Sequence, residues 1–154
     1  MTGQEGTGET LVTTNRKARH EYSILDTYET GIVLTGTEVK SLRQGIANLA
    51  DGYAMIKDGE LWLFGMHISP YSHGSYSNVD PLRRRKLLVH KNELRRINAR
   101  LKEKGITLIP LKVYFVHGIA KLQLGVCRGK REYDKRQDIA RRDAERAIRR
   151  HLAR

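Results

Sequence analysis

The sequence holds a single cysteine, Cys127, among its 154 residues. One thiol excludes an internal disulfide framework and is typical of a protein that resides in a reducing compartment. Cys127 stands at the end of an apolar stretch, which favours a small packed side chain over a reactive nucleophile.

Long hydrophobic runs are absent as well. The longest, "LWLF" and "VYFV", fall far short of the roughly 20 apolar residues that a membrane-spanning helix needs. The opening "MTGQEGTGETLVTT" has no basic residue and no apolar core, so it does not match a secretory signal. We therefore predict a disordered leader over residues 1–14, a cytoplasmic protein and no membrane contact.

Motifs for metal or cofactor chemistry are also missing. The sequence has no glycine-rich phosphate loop, no CxxC pair and no HExxH motif, and its six histidines show no metal-ligand spacing. We predict no metal, no cofactor and no catalytic residues. A metal-free nuclease that uses His20 and His90 as acid and base stays open, because sequence alone does not show which residues meet.

Positive charge is what the sequence has in excess. With 29 Lys and Arg against 17 Asp and Glu, the formal net charge is +12. Residues 80–104 carry ten basic and three acidic residues and residues 128–154 carry eleven and five, whereas residues 105–127 carry two and none. Such clustering indicates a polyanionic partner rather than a general solubility charge.

The central region has the pattern of a small β-protein with short helices. Residues 22–34 are strand-like, and "TGTEVKSLRQG" predicts a helix that Thr37 caps, with Val39 and Leu42 facing inward and Gly45 ending it. Asp58-Gly59 and His117-Gly118 each separate two strand-like runs, and a helix is predicted over 91–104. Five to seven strands without a βαβ rhythm predict an OB-fold-like antiparallel β-barrel.

The segment "NRKARHEY", residues 15–22, combines an amide, three cations and an imidazole before the first predicted strand. A solvated N-terminal arm is one interpretation. In the other interpretation, Arg16, Lys17 and Arg19 pair with phosphates, and Asn15 and His20 bond to a sugar or base. Glu29 is a further candidate, because a carboxylate can accept hydrogen bonds from base amines.

The end of the chain, residues 129–154, is strongly basic. Read as a helix, it has a thin apolar stripe of Ala, two Ile and one Leu. That stripe is too small to offset the ordering of the segment, at roughly 1 to 2 kcal/mol per residue. We predict a flexible tail that folds into a helix on a polyanion.

Five ordered segments resemble the SmpB family, the SsrA-binding proteins of bacteria. They are "NRKARHEY", "GTEVKSLRQG", "FGMHISPY", "DPLRRRKLLVHK" and "GKREYDKR". The resemblance implies a non-enzymatic OB-fold protein that binds the tRNA-like domain of transfer-messenger RNA (tmRNA, or SsrA RNA). Such a protein delivers tmRNA to stalled ribosomes for trans-translation, and its tail becomes helical in the empty mRNA channel beside 16S rRNA of the decoding centre.

The resemblance divides the chain into the leader 1–14, an OB-fold RNA-binding domain 15–128 and the tail 129–154. It implies a tmRNA-facing set that consists of Asn15, Arg16, Lys17, Arg19, His20, Glu29, Lys40, Ser41, Arg43, Arg85, Lys86, Leu88 and His90. It implies a ribosome-facing set that consists of Gly129, Lys130, Arg131, Tyr133, Asp134, Lys135, Arg136, Arg141 and Arg142.

The resemblance further implies a monomer that meets elongation factor Tu and alanyl-tRNA synthetase only indirectly, through tmRNA. Another OB-fold RNA binder, such as a ribosome-assembly or single-strand-binding protein, is the second hypothesis for the same composition.

Overall fold

The computed structural model describes residues 8–72, 78–130 and 132–152. Its strands are β1 (Glu9–Thr14), β2 (Tyr22–Ile32), β3 (Ala47–Asn48), β4 (Tyr53–Lys57), β5 (Glu60–Phe64), β6 (His67–Ile68), β7 (Arg85–Leu88), β8 (Ile106–Val116) and β9 (Ile119–Gly129). Its helices are α1 (Arg16–Glu21), α2 (Gly36–Arg43), α3 (Lys91–Leu101) and α4 (Glu132–Leu152). Among these residues no helix is both long and apolar enough to cross a membrane.

Seven strands form one antiparallel sheet in the order β1-β8-β4-β5-β7-β2-β9. A further pairing of β8 with β9 joins the two sides, so six of the strands make a closed ring. Strands β3 and β6 form a separate two-stranded ribbon. The predicted mainly β architecture with a small antiparallel barrel is confirmed.

The two predicted hairpins are confirmed, and their turns explain their register. Asp58 and Gly59 both adopt positive φ between β4 and β5, and His117 and Gly118 do so between β8 and β9. Two consecutive left-handed residues give a tight turn whose twist matches that of the paired strands. Each hairpin therefore directs alternate side chains, such as Leu122 of β9, into the barrel core.

The predicted disordered leader is wrong over its second half. Residues Glu9–Thr14 form β1, which pairs antiparallel with residues 112–116 of β8. The composition of this segment is polar, but the edge of β8 supplies hydrogen bonds that a single sequence does not reveal. Residues 1–7 lie outside the described part of the chain.

Helix α2 begins earlier than its sequence pattern suggests. The Thr35 hydroxyl accepts a hydrogen bond from the Glu38 amide, and the Glu38 carboxylate accepts one from the Thr35 amide. This capping box makes Thr35 the N-cap, so the prediction of Thr37 is wrong. The inward side chains of Val39 and Leu42 and the left-handed Gly45 are confirmed.

An ion pair inside the protein connects α2 to β7. Glu38 and Arg85 are 3% and 1% exposed, and the Arg85 Nε donates to a Glu38 carboxylate oxygen at 2.7 Å. The other carboxylate oxygen accepts from Arg83 at 2.6 Å. The remaining Arg85 nitrogens donate to the carbonyls of Met66 and Pro81, so both charges are satisfied without water.

Burial, taken by itself, acts to raise the pKa of the Glu38 carboxyl. Hydrogen bonds from Arg83, the Thr35 amide and Arg85, together with the charge of Arg85, outweigh burial and hold that pKa below its usual value. Because the pKa of Glu38 is lower in the folded protein than in the unfolded chain, the ionised carboxylate stabilises the fold at neutral pH. That contribution is lost as the pH falls through the folded pKa.

We expect Glu38→Gln to lower the free energy of unfolding by about 3 to 5 kcal/mol at pH 7, because Arg85 then keeps a buried charge without its counterion. Urea unfolding followed by circular dichroism measures this loss. The matched control is Glu60→Gln, which removes the half-exposed partner of Lys86 and should cost at most about 1 kcal/mol. The difference in unfolding free energy between Glu38→Gln and the unmodified protein should become smaller below about pH 4. Equal unfolding midpoints for the two variants would contradict the structural role of the pair.

Candidate nucleic-acid interface

Three predicted tmRNA-facing residues, Glu29, Leu88 and His90, line one recess on the barrel surface. Strand β2 holds Gly31 opposite Leu88 of β7 on one side and opposite Lys121 of β9 on the other. The full lining, which defines the recess below, consists of Glu29, Gly31, Ile32, Leu88, Val89, His90, Glu93, Ile119, Ala120 and Lys121. Residues from three separate segments of the chain, 29–32, 88–93 and 119–121, therefore meet at one place.

The chemistry of the recess suits a nucleotide. Leu88 is 52% exposed and offers an apolar surface, while the Glu29 carboxylate, the His90 imidazole and the Lys121 ammonium offer an acceptor and donors. Hydrogen-bonding groups around an apolar contact are what recognition of an unstacked base or a sugar requires. Lys121 was missed in the sequence, although its alternation with Leu122 on β9 places it on the outer face.

A hydrogen bond holds Glu29 in place. The Tyr114 hydroxyl donates to the Glu29 carboxylate at 2.6 Å, from a tyrosine that is almost fully buried. Burial, followed by the hydrogen bond to Glu29 and the charge of Glu29, raises the pKa of Tyr114 well above its usual value. The phenol therefore stays neutral and remains a donor at physiological pH.

The segment interpreted as an arm is largely the helix α1. Asn15 caps it: its side-chain oxygen accepts from the Ala18 amide, and its side-chain nitrogen donates to the carbonyls of Leu49 and Pro110. Asn15 is only 3% exposed, so the prediction that its amide bonds RNA is wrong. The Pro110 carbonyl lies beside a register shift of β8 between Pro110 and Lys112.

The remaining polar residues of α1 face solvent. Ala18 packs with Ile109, Leu111 and Cys127 in a small apolar cluster, which fixes the rotation of the helix. The exposed side, which we call the α1 cluster, consists of Arg16, Lys17, Arg19 and His20. Burial raises the pKa of Cys127 to about 11, which keeps the thiol protonated and agrees with its predicted packing role.

The predicted residues of α2 divide in the same way. Lys40 and Arg43 are exposed, and their cationic groups lie 5.5 Å from the Tyr71 ring and 4.7 Å from the Phe115 ring. Ser41 is fully buried and donates to the Ser69 carbonyl at 2.7 Å, which is a structural role instead of an RNA contact.

Along β7, in the later basic segment, alternate side chains reach the surface. Arg85 is buried against Glu38, so the prediction that it contacts tmRNA is wrong. Lys86 lies on the outer face and forms an ion pair with Glu60. The inward turn of Arg85 thus directs Arg84 and Lys86 outward.

The tail begins beside α1. Gly129 ends β9 opposite Tyr22, and the Lys130 amide donates to the Glu21 carbonyl at 2.9 Å. Within α4, Arg141 and Arg142 are exposed, as are all residues over 139–152. Arg131 and the side chains of Tyr133, Asp134, Lys135 and Arg136 lie outside the described part of the structure, so their predicted roles stay predictions.

The recess and the α1 cluster occupy opposite ends of one ladder. Strand β2 begins at Tyr22, next to α1 and the tail, and reaches Glu29 seven residues later. At about 3.3 Å per residue, the two ends lie roughly 23 Å apart. His20 and His90, the acid and base of the nuclease alternative, belong to these two different ends. Among the described residues no group of three His, Cys, Asp or Glu side chains forms a metal site.

Comparison with known proteins places these features in context. The sequence matches the SmpB protein family over residues 12–154. It is 59% identical over 140 residues to an "SsrA-binding protein" of Desulforudis audaxviator, covering 91% of this chain and 92% of that protein. It is 57% identical over 147 residues to an "SsrA-binding protein" of Acidothermus cellulolyticus, covering 96% and 92%.

A solved structure is similar as well. A chain from the work described as "tmRNA-SmpB: a journey to the center of the bacterial ribosome" superimposes with a TM-score of 0.67 at 53% sequence identity. The match covers 82% of the present chain and 93% of that chain.

We expect Tyr114→Phe to lower the free energy of unfolding by about 1 to 2 kcal/mol at pH 7, since it removes the donor to Glu29. The raised folded pKa means that this stabilisation is present below the ordinary tyrosine value of about 10 and declines as the pH rises above it. The difference between the two proteins in urea unfolding should therefore shrink above about pH 10. A difference that stays constant to pH 11 would show that the phenol contributes packing only. Tyr53→Phe, at an exposed tyrosine, serves as the control.

Proposed function

The chain belongs to the SmpB family of SsrA-binding proteins, and from this premise we propose that it binds the tRNA-like domain of tmRNA and delivers it to stalled ribosomes for trans-translation. The observation that carries the proposal is the recess, which brings Glu29 of β2 together with Leu88 and His90 from a segment more than fifty residues later. A preformed site of this kind recognises a folded RNA at little ordering cost.

In this proposal the recess contacts an exposed nucleotide of tmRNA. Glu29 accepts from a base amine or a ribose hydroxyl, Leu88 packs against the sugar or base, and Lys121 pairs with the neighbouring phosphate. The Tyr114 hydrogen bond fixes the carboxylate before RNA arrives. Exposed Lys40 and Arg43 of α2 and half-exposed Lys86 of β7 add phosphate contacts.

The other end of the barrel supplies a second basic surface. Arg16, Lys17, Arg19 and His20 lie where the tail begins, roughly 23 Å from Glu29 along β2. A tRNA-like domain is wide enough to contact both ends at once, so the two surfaces fit a large folded RNA as the partner.

The tail is assigned to the ribosome. Its described side chains over 139–152 are exposed, and Asp143–Arg146 and Glu145–Arg149 ion pairs support the helix along its own surface. A helix that leaves its arginines exposed presents them to ribosomal RNA, and Tyr133 would stack on a decoding-centre base. We keep the prediction that contact with rRNA, rather than the barrel, stabilises this helix.

The protein acts by binding and not by catalysis in this proposal. Incubation of the pure protein with tmRNA should leave the RNA intact on a denaturing gel. Cleavage that is lost in His20→Ala or His90→Ala would support the nuclease alternative instead. A cytoplasmic monomer that meets elongation factor Tu and alanyl-tRNA synthetase only through tmRNA stays a prediction.

We expect Lys121→Gln to weaken binding to the tRNA-like domain about five- to tenfold, because one charge-assisted phosphate contact is worth roughly 1 to 1.5 kcal/mol. Fluorescence anisotropy with a labelled tRNA-like domain at physiological salt measures the effect. Lys104→Gln removes an equal charge from an exposed site outside the recess and should change the affinity less than twofold. Equal losses in both variants would mean that net charge alone determines binding, as in a generic single-strand binder.

We expect a chain that ends at Lys130 to keep its affinity for the tRNA-like domain within about threefold and to lose peptide tagging on stalled ribosomes. Ending there retains the Lys130 amide that bonds to α1, so the barrel stays complete. Affinity is measured by anisotropy and tagging by a reconstituted translation reaction. Ile148→Ala, which removes apolar area from the tail without a charge, should tag normally. A parallel loss of affinity and tagging would place the tail in the tmRNA contact.

A further inference from the structure

One face of the barrel carries an exposed tyrosine and two half-buried aromatic side chains that neither the recess nor the α1 cluster includes. On the hairpin of β4 and β5, Ala54, Leu61 and Leu63 point into the core, so their neighbours point outward. We call this outward surface the aromatic face, and it consists of Tyr53, Met55, Trp62, Phe64 and Arg84.

The aromatic face is ordered by cross-strand pairs. Tyr53 lies opposite Phe64, and their rings stack with centroids 5.5 Å apart and planes 19° apart. Met55 lies opposite Trp62, and the Arg84 guanidinium sits 4.4 Å from the Trp62 ring centre. Two flat surfaces, one aromatic pair and one arginine-capped indole, are therefore fixed side by side.

Solvent exposure of this surface is costly and needs a reason. The chain has only one Trp, seven Tyr and two Phe, and three of these ten rings lie here. Tyr53 and Met55 are 43% and 45% exposed. A small barrel that keeps three of its scarce aromatic rings at or near the surface, next to cations, has the composition of a stacking platform.

The aromatic face also lies between the two basic sites. At one end Tyr53 lines the same cleft as Lys17 of the α1 cluster. At the other end Trp62 pairs with Lys86 of β7, which points to the same side of its strand as Leu88 of the recess. The face thus extends from Lys17 at one end to Lys86 at the other. Each of these lysines also forms an ion pair, with Asp51 and Glu60, and Arg84 lies between them over the Trp62 ring.

We propose that the aromatic face binds unpaired nucleotides of an RNA, one base stacking at Tyr53 and Phe64 and another at Trp62 and Arg84. The formal charge of +12 and the flanking Lys17, Arg84 and Lys86 favour an RNA over an apolar protein partner. The inference goes beyond the proposed function, which uses the recess, the α1 cluster, the tail and the cations Lys40, Arg43 and Lys86 but none of these rings. Failure of either leaves the other standing.

Trp62 is the only tryptophan, so its fluorescence reports directly on this face. The experiment titrates the full-length protein with a single-stranded oligoadenylate decamer and follows tryptophan emission across a salt series. We expect saturable quenching that persists when added salt has weakened the phosphate contacts.

Variants at Tyr53 separate stacking from charge. Tyr53→Leu keeps an apolar side chain but removes the ring, and it should weaken oligoadenylate binding at least about fivefold. Tyr53→Phe keeps the ring and should bind within twofold of the unmodified protein. Leu11→Ala, which removes an exposed apolar side chain from β1, should also bind normally. Thermal midpoints within about 3 °C of the unmodified protein would show that each variant is folded.

Two results would overturn the proposal. One is the absence of saturable quenching, which would indicate that the aromatic face binds a protein instead of RNA. The other is equal affinity of Tyr53→Leu and Tyr53→Phe, or equal quenching by an RNA duplex of the same length, since either would reduce the binding to phosphate attraction.

Discussion

The buried ion pair between Glu38 and Arg85 is the interaction on which the arrangement of this protein depends. It fixes α2 against β7, and Arg85 also holds the carbonyls of Met66 and Pro81. A charged pair in the interior is stable only when every polar atom has a partner, so the surrounding backbone has one permitted arrangement. Because Arg85 must point inward, its neighbours Arg84 and Lys86 must point outward, where the proposed RNA contacts lie.

The long ladder of β2 with β9 sets the second constraint. The recess with Glu29 and Lys121 occupies one end, and the α1 cluster with the start of the tail occupies the other. Two antiparallel strands of eleven residues act as a rigid spacer of fixed length. The barrel therefore presents its basic groups at a set separation, which suits a partner with its own defined shape.

The rigid barrel and the weakly supported tail have different roles. Some barrel side chains that we assign to tmRNA have a partner in the fold: Glu29 accepts from Tyr114, and the Arg43 guanidinium lies over the Phe115 ring. The tail has exposed side chains over 139–152 and is joined to the barrel near Glu21. A segment with so little apolar support responds to an external polyanion, while the barrel recognises RNA without rearrangement.

The sequence by itself determined the family, the barrel class, both hairpins, the basic tail and most of the exposed cations. The family follows from the resemblance of five ordered motifs. The other features follow from local signals: turn dipeptides, strand alternation and clustered charge. Only the tertiary structure decided which polar residues are structural. Asn15, Ser41 and Arg85 have the residue types of RNA contacts, yet each is buried against partners far away in the sequence. The burial of a side chain depends on such distant partners. The approach of Glu29 to Lys121 depends on strand pairing in the same way, because residues far apart in the sequence meet only when strands pair and helices dock.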